Sequence, residues 1–171
     1  MPNQTGTYFG NTLTYVCDHN KQGALGLMIN RPTDLALTEL LKKFDCATNV
    51  DADLVVVEGG PVQQERGFVL HSTDVQTSGS MPIGNDLLLT ASRDILEIIG
   101  AGDGPKHFIV TLGYAGWGEG QLESELADNA WLTVPATNEI LFDTPFDKRV
   151  DAAAKSLGIN FQLMSPHLGH A

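Results

Sequence analysis

The sequence predicts an α+β domain, a largely antiparallel sheet system carrying three or four helices. Its 171 residues are enough for one domain, 1–171, with a proper hydrophobic core, and 42% of them are hydrophobic. Roughly eight or nine short strand patterns alternate irregularly with a few helical ones, without the regular rhythm of βαβ units. The first strand patterns follow one another with no helix between them, which implies antiparallel pairing. No internal repeat, low-complexity tract or charged linker divides the chain.

Residues 12–18 alternate, with Leu13, Tyr15 and Cys17 on one face, and read as a half-buried strand. The turn His19-Asn20-Lys21-Gln22-Gly23 leads into a second strand, 24–29, completing a hairpin with a five-residue loop. Asn30-Arg31-Pro32 stops that strand. A short helix is expected over 38–44, with Leu37, Leu40, Leu41 and Phe44 inward. The apolar run 54–58 reads as a strand ending at Gly59-Gly60-Pro61, a strong turn signal. Further strands are expected at 66–71 and 86–90.

Ser92 is placed to cap a helix running to Ile99, with Asp94 in the first turn and Gly100 and Gly102 as the stop. The apolar run Phe108-Ile109-Val110-Thr111-Leu112 is a buried strand pattern. The glycine-rich stretch Gly113-Tyr114-Ala115-Gly116-Trp117-Gly118-Glu119-Gly120 follows, read as a strand-to-helix turn. The helix after it carries Leu122 and Leu126 on one side and Glu123 and Glu125 outward. Two short strands are expected at 130–135 and 138–142. Thr144, Pro145 and Asp147 then write the start of a last helix, with Phe146, Val150, Ala153, Ala154 and Leu157 as its apolar stripe. Gly158 ends it, and a strand over 159–164 is expected to return to the sheet.

The charge balance excludes one class of function. With 21 acids against 10 bases the net charge is −11, and no basic cluster is longer than Lys42-Lys43 or Lys148-Arg149. Direct binding to a nucleic-acid backbone needs Lys and Arg on phosphates, so it is disfavoured. There is no run of about eighteen apolar residues, so no membrane span is expected. The stretch Met1-Pro2-Asn3-Gln4-Thr5-Gly6 lacks the basic and apolar regions of a signal peptide, which makes the cytoplasm the expected compartment. Two cysteines, Cys17 and Cys46, and no Cys-x-x-Cys pair argue for free thiols and against a structural zinc site.

The glycine-rich stretch has two readings. Amides at a helix N-terminus cradle anions, yet the spacing matches neither the Walker nor the dinucleotide fingerprint, and Glu119, Glu123 and Glu125 repel phosphate. No cofactor is therefore expected. The structural reading is a tight turn that lets Tyr114 and Trp117 pack; the functional one is a surface for a small ligand or partner protein. Cys17 and His19 lie on one face of a regular strand, the only local setting for a thiol beside a base, as a nucleophilic or redox-active thiolate requires. The alternative is a core cysteine beside a turn histidine. His71-Ser72-Thr73-Asp74 holds triad residue types, but triads are assembled from distant segments and no Gly-x-Ser-x-Gly elbow exists. His167 and His170 belong to a glycine-containing tail. No metal site is expected.

Four blocks together are specific. Tyr15 to Asn20, Gly23 to Pro32, Glu58-Gly59-Gly60-Pro61-Val62 and Gly113 to Glu123 resemble, in this order, the AlgH/YqgE family of bacterial proteins. The Gly-Tyr-Ala-Gly-Trp-Gly-x-Gly-Gln-Leu block is the most specific. The resemblance implies a single α+β domain of bifurcated, coiled sheets in a cytosolic protein of uncharacterised activity, whose family name comes from a proposed role in regulating alginate production. It carries no catalytic residue or cofactor across. Members usually start earlier, with an apolar strand leading into Met1-Pro2, which implies an unpaired sheet edge here; Val150 stands where tryptophan is usual. The function expected from all this is a non-enzymatic interaction or indirect regulatory protein with an unidentified protein partner. Its surface would comprise Tyr114, Gly116, Trp117, Gly118, Gly120, Gln121, Gly59, Gly60 and Pro61. The competing expectation is a thiol-dependent enzyme or redox sensor using Cys17 and His19.

Overall fold

A computed structural model describes residues 8–160. In chain order the elements are β1 (Thr14–Asn20), β2 (Gly23–Met28), β3 (Pro32–Ala36), α1 (Leu37–Lys43), β4 (Val55–Glu58), β5 (Val62–Ser72), β6 (Ser80–Ile83), β7 (Leu87–Thr90), α2 (Arg93–Ala101), β8 (Phe108–Trp117), α3 (Gln121–Ala127) and α4 (Arg149–Ser156). A π-helical turn, Glu139–Asp143, and a 3-10 turn, Phe146–Lys148, precede α4. The architecture is α+β, as expected, with antiparallel pairing throughout except between β4 and β8.

The strand order is β1-β2-β8-β5-β7-β6, with β3 and β4 branching from β8. Strand β8 is shared. Its first half pairs with β5 from His71↔Phe108 to Gly67↔Leu112, and with β4 at Val57↔Thr111. Its last three residues, Ala115 to Trp117, pair with β2. On one edge the partner changes from β4 to β2 across Gly113, whose φ is 74°, while on the other β5 resumes its pairing beyond the bend at Val62↔Tyr114. So the glycine-rich stretch is not a turn for most of its length. A strand runs through it, bent where only glycine adopts the left-handed backbone without strain, and the true turn is confined to Gly118 to Gly120.

Apolar alternation puts both faces of the shared strands to use. Leu27, Ile29, Val57, Phe68, Leu70, Leu89, Ile109 and Leu141 pack on one face. Val56, Val69 and Val110 point the other way and meet Leu37, Leu40 and Leu41 of α1 and Ile95 and Ile99 of α2. Period-two alternation sends successive residues to opposite sides, and here both sides are covered. That is why 54–58 and 108–112 read as unbroken apolar runs.

Several expected details differ. The β1–β2 pairing continues to Asn20↔Gly23, leaving a two-residue connection, Lys21-Gln22, rather than five. Phe44 is 41% exposed, since α1 ends at Lys43 and the Phe44 N–H only closes the last turn on Leu41. Strand β3 starts at Pro32, where the sequence predicts a stop, and β6 matches no strand that the sequence predicts. Ser92 occupies the N-cap of α2 but donates its hydroxyl to Asp94 instead of capping an amide. Gly102, with φ 90°, is the real stop, whereas Gly100 lies within the helix. The expected strands at 130–135 and 138–142 are absent: 131–137 is irregular and the π-helical turn follows. The strand expected over 159–164 lies mostly outside the described residues.

Thr144 does not cap the last helix either. Its hydroxyl and its N–H both donate to the Glu139 carbonyl, closing the π-helical turn. Buried Arg149 explains the arrangement. Its Nε donates to Thr144 O at 2.9 Å, its Nη1 donates to Ile29 O, and its guanidinium stacks over Phe146 at 4.4 Å. Burial lowers its pKa to about 10, and the two carbonyls stand in for the water lost. Leu157 falls off the apolar stripe and is 42% exposed.

Two glycine substitutions separate constraint from tolerance. At Gly60, φ is 156° and an added Cβ would fall 2.1 Å from the Tyr114 carbonyl carbon. At Gly67 the nearest atom would be 3.9 Å away. Gly60→Ala is expected to destabilise by about 3 kcal/mol, and Gly67→Ala by no more than about 0.5 kcal/mol, in denaturant melts.

Candidate functional site

The nine residues read as a binding surface divide by burial. Gly59 and Gly60 are buried and Tyr114 is half-buried, its ring edge-on to Phe68 at 5.8 Å. Trp117 is 7% exposed. Pro61, Gly116, Gly118, Gly120 and Gln121 are exposed. The structure therefore places the inner half of the group inside the fold and the outer half on one end of β8 and the start of α3.

The inner half has a packing reason for every glycine. A Cβ on Gly59 would lie 2.3 Å from Gly113 O, and one on Gly113 would lie 2.3 Å from Gly60 O. The outer half does not. A Cβ on Gly118 would meet only Gln121 Oε1, at 3.9 Å, and one on Gly120 nothing within 4 Å. The left-handed φ of 71° accounts for Gly120; no steric reason accounts for Gly118.

Behind this strip, Glu125 organises the interior end of α3. The sequence pointed it outward, but its Oε2 accepts the indole N–H of Trp117 at 2.9 Å and of Trp131 at 2.7 Å. Its Oε1 accepts from Gln121 Nε2 at 2.9 Å, and Gln121 Oε1 accepts the Gly118 N–H at 3.0 Å. Burial raises the Glu125 carboxyl, and the three donors outweigh it, leaving the pKa below the usual carboxylate range. The two indoles meet edge-to-face at 5.8 Å. Trp131 and Glu125 were missed as site residues. A lone outward-reading glutamate carries no local signal that two tryptophans will converge on it.

Cys17 and His19 are not brought together as a pair. The β1–β2 register shifts between Val16 and Asp18, so Cys17 occupies a bulge and the simple alternation fails. His19 Nε2 lies 2.7 Å from Glu123 Oε1. The thiol sits over the Tyr15 carbonyl at 3.7 Å, and burial, with Asp18 beside it, pushes its pKa up to about 12. That environment holds the thiol protonated.

His71 is fully buried and fully engaged. Its Nδ1–H donates to Ser72 O at 2.9 Å, leaving Nε2 to accept the Thr90 hydroxyl at 2.8 Å. Burial lowers its pKa. Ser72 donates to Asp74 and not to His71. Among the described residues, no group of three His, Cys, Asp or Glu side chains is placed to hold a metal ion, and no helix is long and apolar enough to cross a membrane. His167 and His170 lie outside the described residues.

Comparison with known proteins gives a consistent result. A family model described as AlgH-like matches residues 1–162. A UPF0301 protein of Thioalkalivibrio sulfidiphilus is 51% identical over 172 residues, covering 100% of this chain and 92% of the relative. One from Dechloromonas aromatica is 50% identical, covering 100% and 93%. The solution structure of AlgH from Pseudomonas aeruginosa is 45% identical with a TM-score of 0.79, covering 100% of this chain and 92% of that one. A crystal structure of a protein from Corynebacterium diphtheriae shares the fold at 18% identity, with a TM-score of 0.72 over 90% of this chain and 82% of its own.

Two outcomes follow. At neutral pH, Cys17 is expected to alkylate at least about tenfold more slowly than a free thiol until the protein is unfolded. Mass spectrometry of the labelled native protein checks this, and rapid modification of native Cys17 would contradict it. For Glu125, the folded pKa lies below the unfolded one. Its stabilising bonds are therefore complete above about pH 4.5 and are lost as pH falls through the folded value. Tryptophan fluorescence should report that acid transition, and Glu125→Ala should abolish it while lowering stability by about 2 kcal/mol at pH 7.

Proposed function

The chain belongs to the AlgH-like family, and from that premise we propose that it is a non-enzymatic interaction protein of the cytoplasm with an indirect regulatory role. Its working surface is the exposed strip Gly116, Gly118, Gly120 and Gln121, continued by Pro61 on one side and by His19 with Glu123 on the other. The observation that carries this reading is Gly118: an exposed glycine with ordinary backbone and open space around its Cα position. A side chain there is sterically allowed within the monomer, so its absence suits a partner that approaches the backbone closely. Tyr114 and Trp117 support the strip from below and do not contact the partner.

The partner is a protein whose facing surface is basic. Glu119 and Glu123 flank the strip, and the whole chain carries −11, so complementary charge would steer the encounter. The same acidity argues against nucleic acid as the direct partner. The thiol-dependent alternative through Cys17 and His19 has less in its favour, because the thiol is held protonated and the imidazole is turned to Glu123.

Gly118→Arg tests the strip without touching the core. Captured from host lysate on the wild-type protein, the partner should bind the variant at least about tenfold more weakly, a loss of about 1.4 kcal/mol, while the melting temperature stays unchanged. Equal capture by both proteins would show the strip to be structural only.

A further inference from the structure

A cavity of about 250 Å³ lies between the outer face of β1, the Trp117–Trp131 pair and the segment leading into the π-helical turn. Thr14, Ile29, Trp131, Val134, Ile140 and Leu141 are among its walls. We propose that this cavity is a binding site for an uncharged, mainly hydrocarbon small molecule with one hydrogen-bonding head group, of the size of a medium-chain alcohol. The proposal does not rest on the partner-binding strip, which the cavity adjoins through Trp117.

Charge selects against ionic ligands. Although the chain holds 31 Asp, Glu, Lys and Arg residues, 21 acidic and 10 basic, not one of them lines the cavity, and neither does a histidine. A carboxylate, phosphate or ammonium buried there would lose water and gain no counter-charge. Thr12, Thr14, Tyr15 and Thr133 bring hydroxyl groups to the wall, and its other side chains are aliphatic or aromatic. Both indole N–H groups are already spent on Glu125, so the tryptophans offer apolar ring surface rather than donors.

The head group has a partner waiting. Thr14 Oγ1 is the one buried side-chain oxygen or nitrogen among the described residues that has no hydrogen-bond partner, and Thr14 belongs to the cavity wall. Buried polar atoms are nearly always paired, so an orphan needs a reason. Thr14 Oγ1 is itself covered in this conformation, and a turn of the side chain about Cα–Cβ to another staggered rotamer brings it to the wall, where a ligand hydroxyl supplies the missing bond.

Size and access fit the same ligand. An apolar cavity of about 150 Å³ accommodates benzene, so about 250 Å³ holds about ten non-hydrogen atoms. Val16 and Leu132, 42% and 49% exposed, line the cavity and so form an apolar rim open to solvent. Among the described residues no backbone hydrogen bond anchors 132–136, which leaves this wall free to adjust around a guest. The π-helical turn that supplies Ile140 and Leu141 is a rare geometry that recurs at functional sites.

The chain has two tryptophans, Trp117 and Trp131, and both line the cavity, so intrinsic fluorescence reads this site directly. Titration of the full chain with 1-octanol should give a saturable one-to-one change. Octanoate, equal in length but charged, should bind at least about tenfold more weakly. Val134→Phe, which fills the cavity from its unanchored wall, should abolish the response at an unchanged melting temperature. Should that variant melt early, the near-isosteric Thr14→Val takes its place and should weaken octanol several-fold. No saturable change, equal binding of octanoate, or full octanol binding by the folded Val134→Phe protein (by Thr14→Val, where it is the one used) would overturn the proposal.

Discussion

Everything in this fold hangs on the place where the β4–β5 turn lies directly against the bend of β8. Gly59 and Gly60 on one side face Gly113 and Tyr114 on the other, with peptide groups where side chains would normally stand. Gly59 also donates its N–H to Leu112 O and accepts from Met28 N–H, both at 2.8 Å. Three strands are thus pinned at one point: β2 through Met28, β4 through Gly59 and β8 through Leu112. Only with side chains absent do the backbones come near enough for these bonds, and only then do the two parts of the sheet share one strand.

The parts of this architecture that were legible in the sequence are those whose signals are local. The β1–β2 hairpin, the apolar faces of α1 and α2 and the buried runs at 54–58 and 108–112 follow from periodicity and turn residues. The parts that were not legible depend on partners far along the chain. Strand β8 continues through five further residues, Gly113 to Trp117, two of them glycines, because Ala24, Leu25 and Gly26 pair with it from about ninety positions away; propensity alone reads a turn there. Strand β3 begins at Pro32, permitted because it lies at the end of the β3–β4 branch. The stretch 130–142 has β-prone residues, yet Ile140 and Leu141 are buried from a π-helical turn that Arg149 holds against β2.

The candidate site was legible in composition and not in depth. The glycine-aromatic block marked the right segment, but alternation along β8 buries Ala115 and Trp117 and exposes Gly116 between them. That division became visible only once β8 was known to be a strand. Glu125 shows the opposite failure. Position on a short helix suggests solvent, and two indole N–H groups converging from β8 and from residue 131 hold it half-buried against the tryptophans. For Cys17, a single bulge separated the thiol from the alternation on which its pairing with His19 rested.

A strand shared between distant partners also dictates the order in which the molecule can be assembled. On the ribosome the β1–β2 hairpin emerges early, but its inner edge has no neighbour until Ala115 to Trp117 have been made. The same holds for β4 and β5, whose partner is the first half of β8. Everything up to Trp117 is therefore synthesised before the central pairing closes. Until then the chain carries unpaired strand edges of the kind chaperones bind. Pairings this far apart in sequence must close a large loop before they reward the chain, which slows folding.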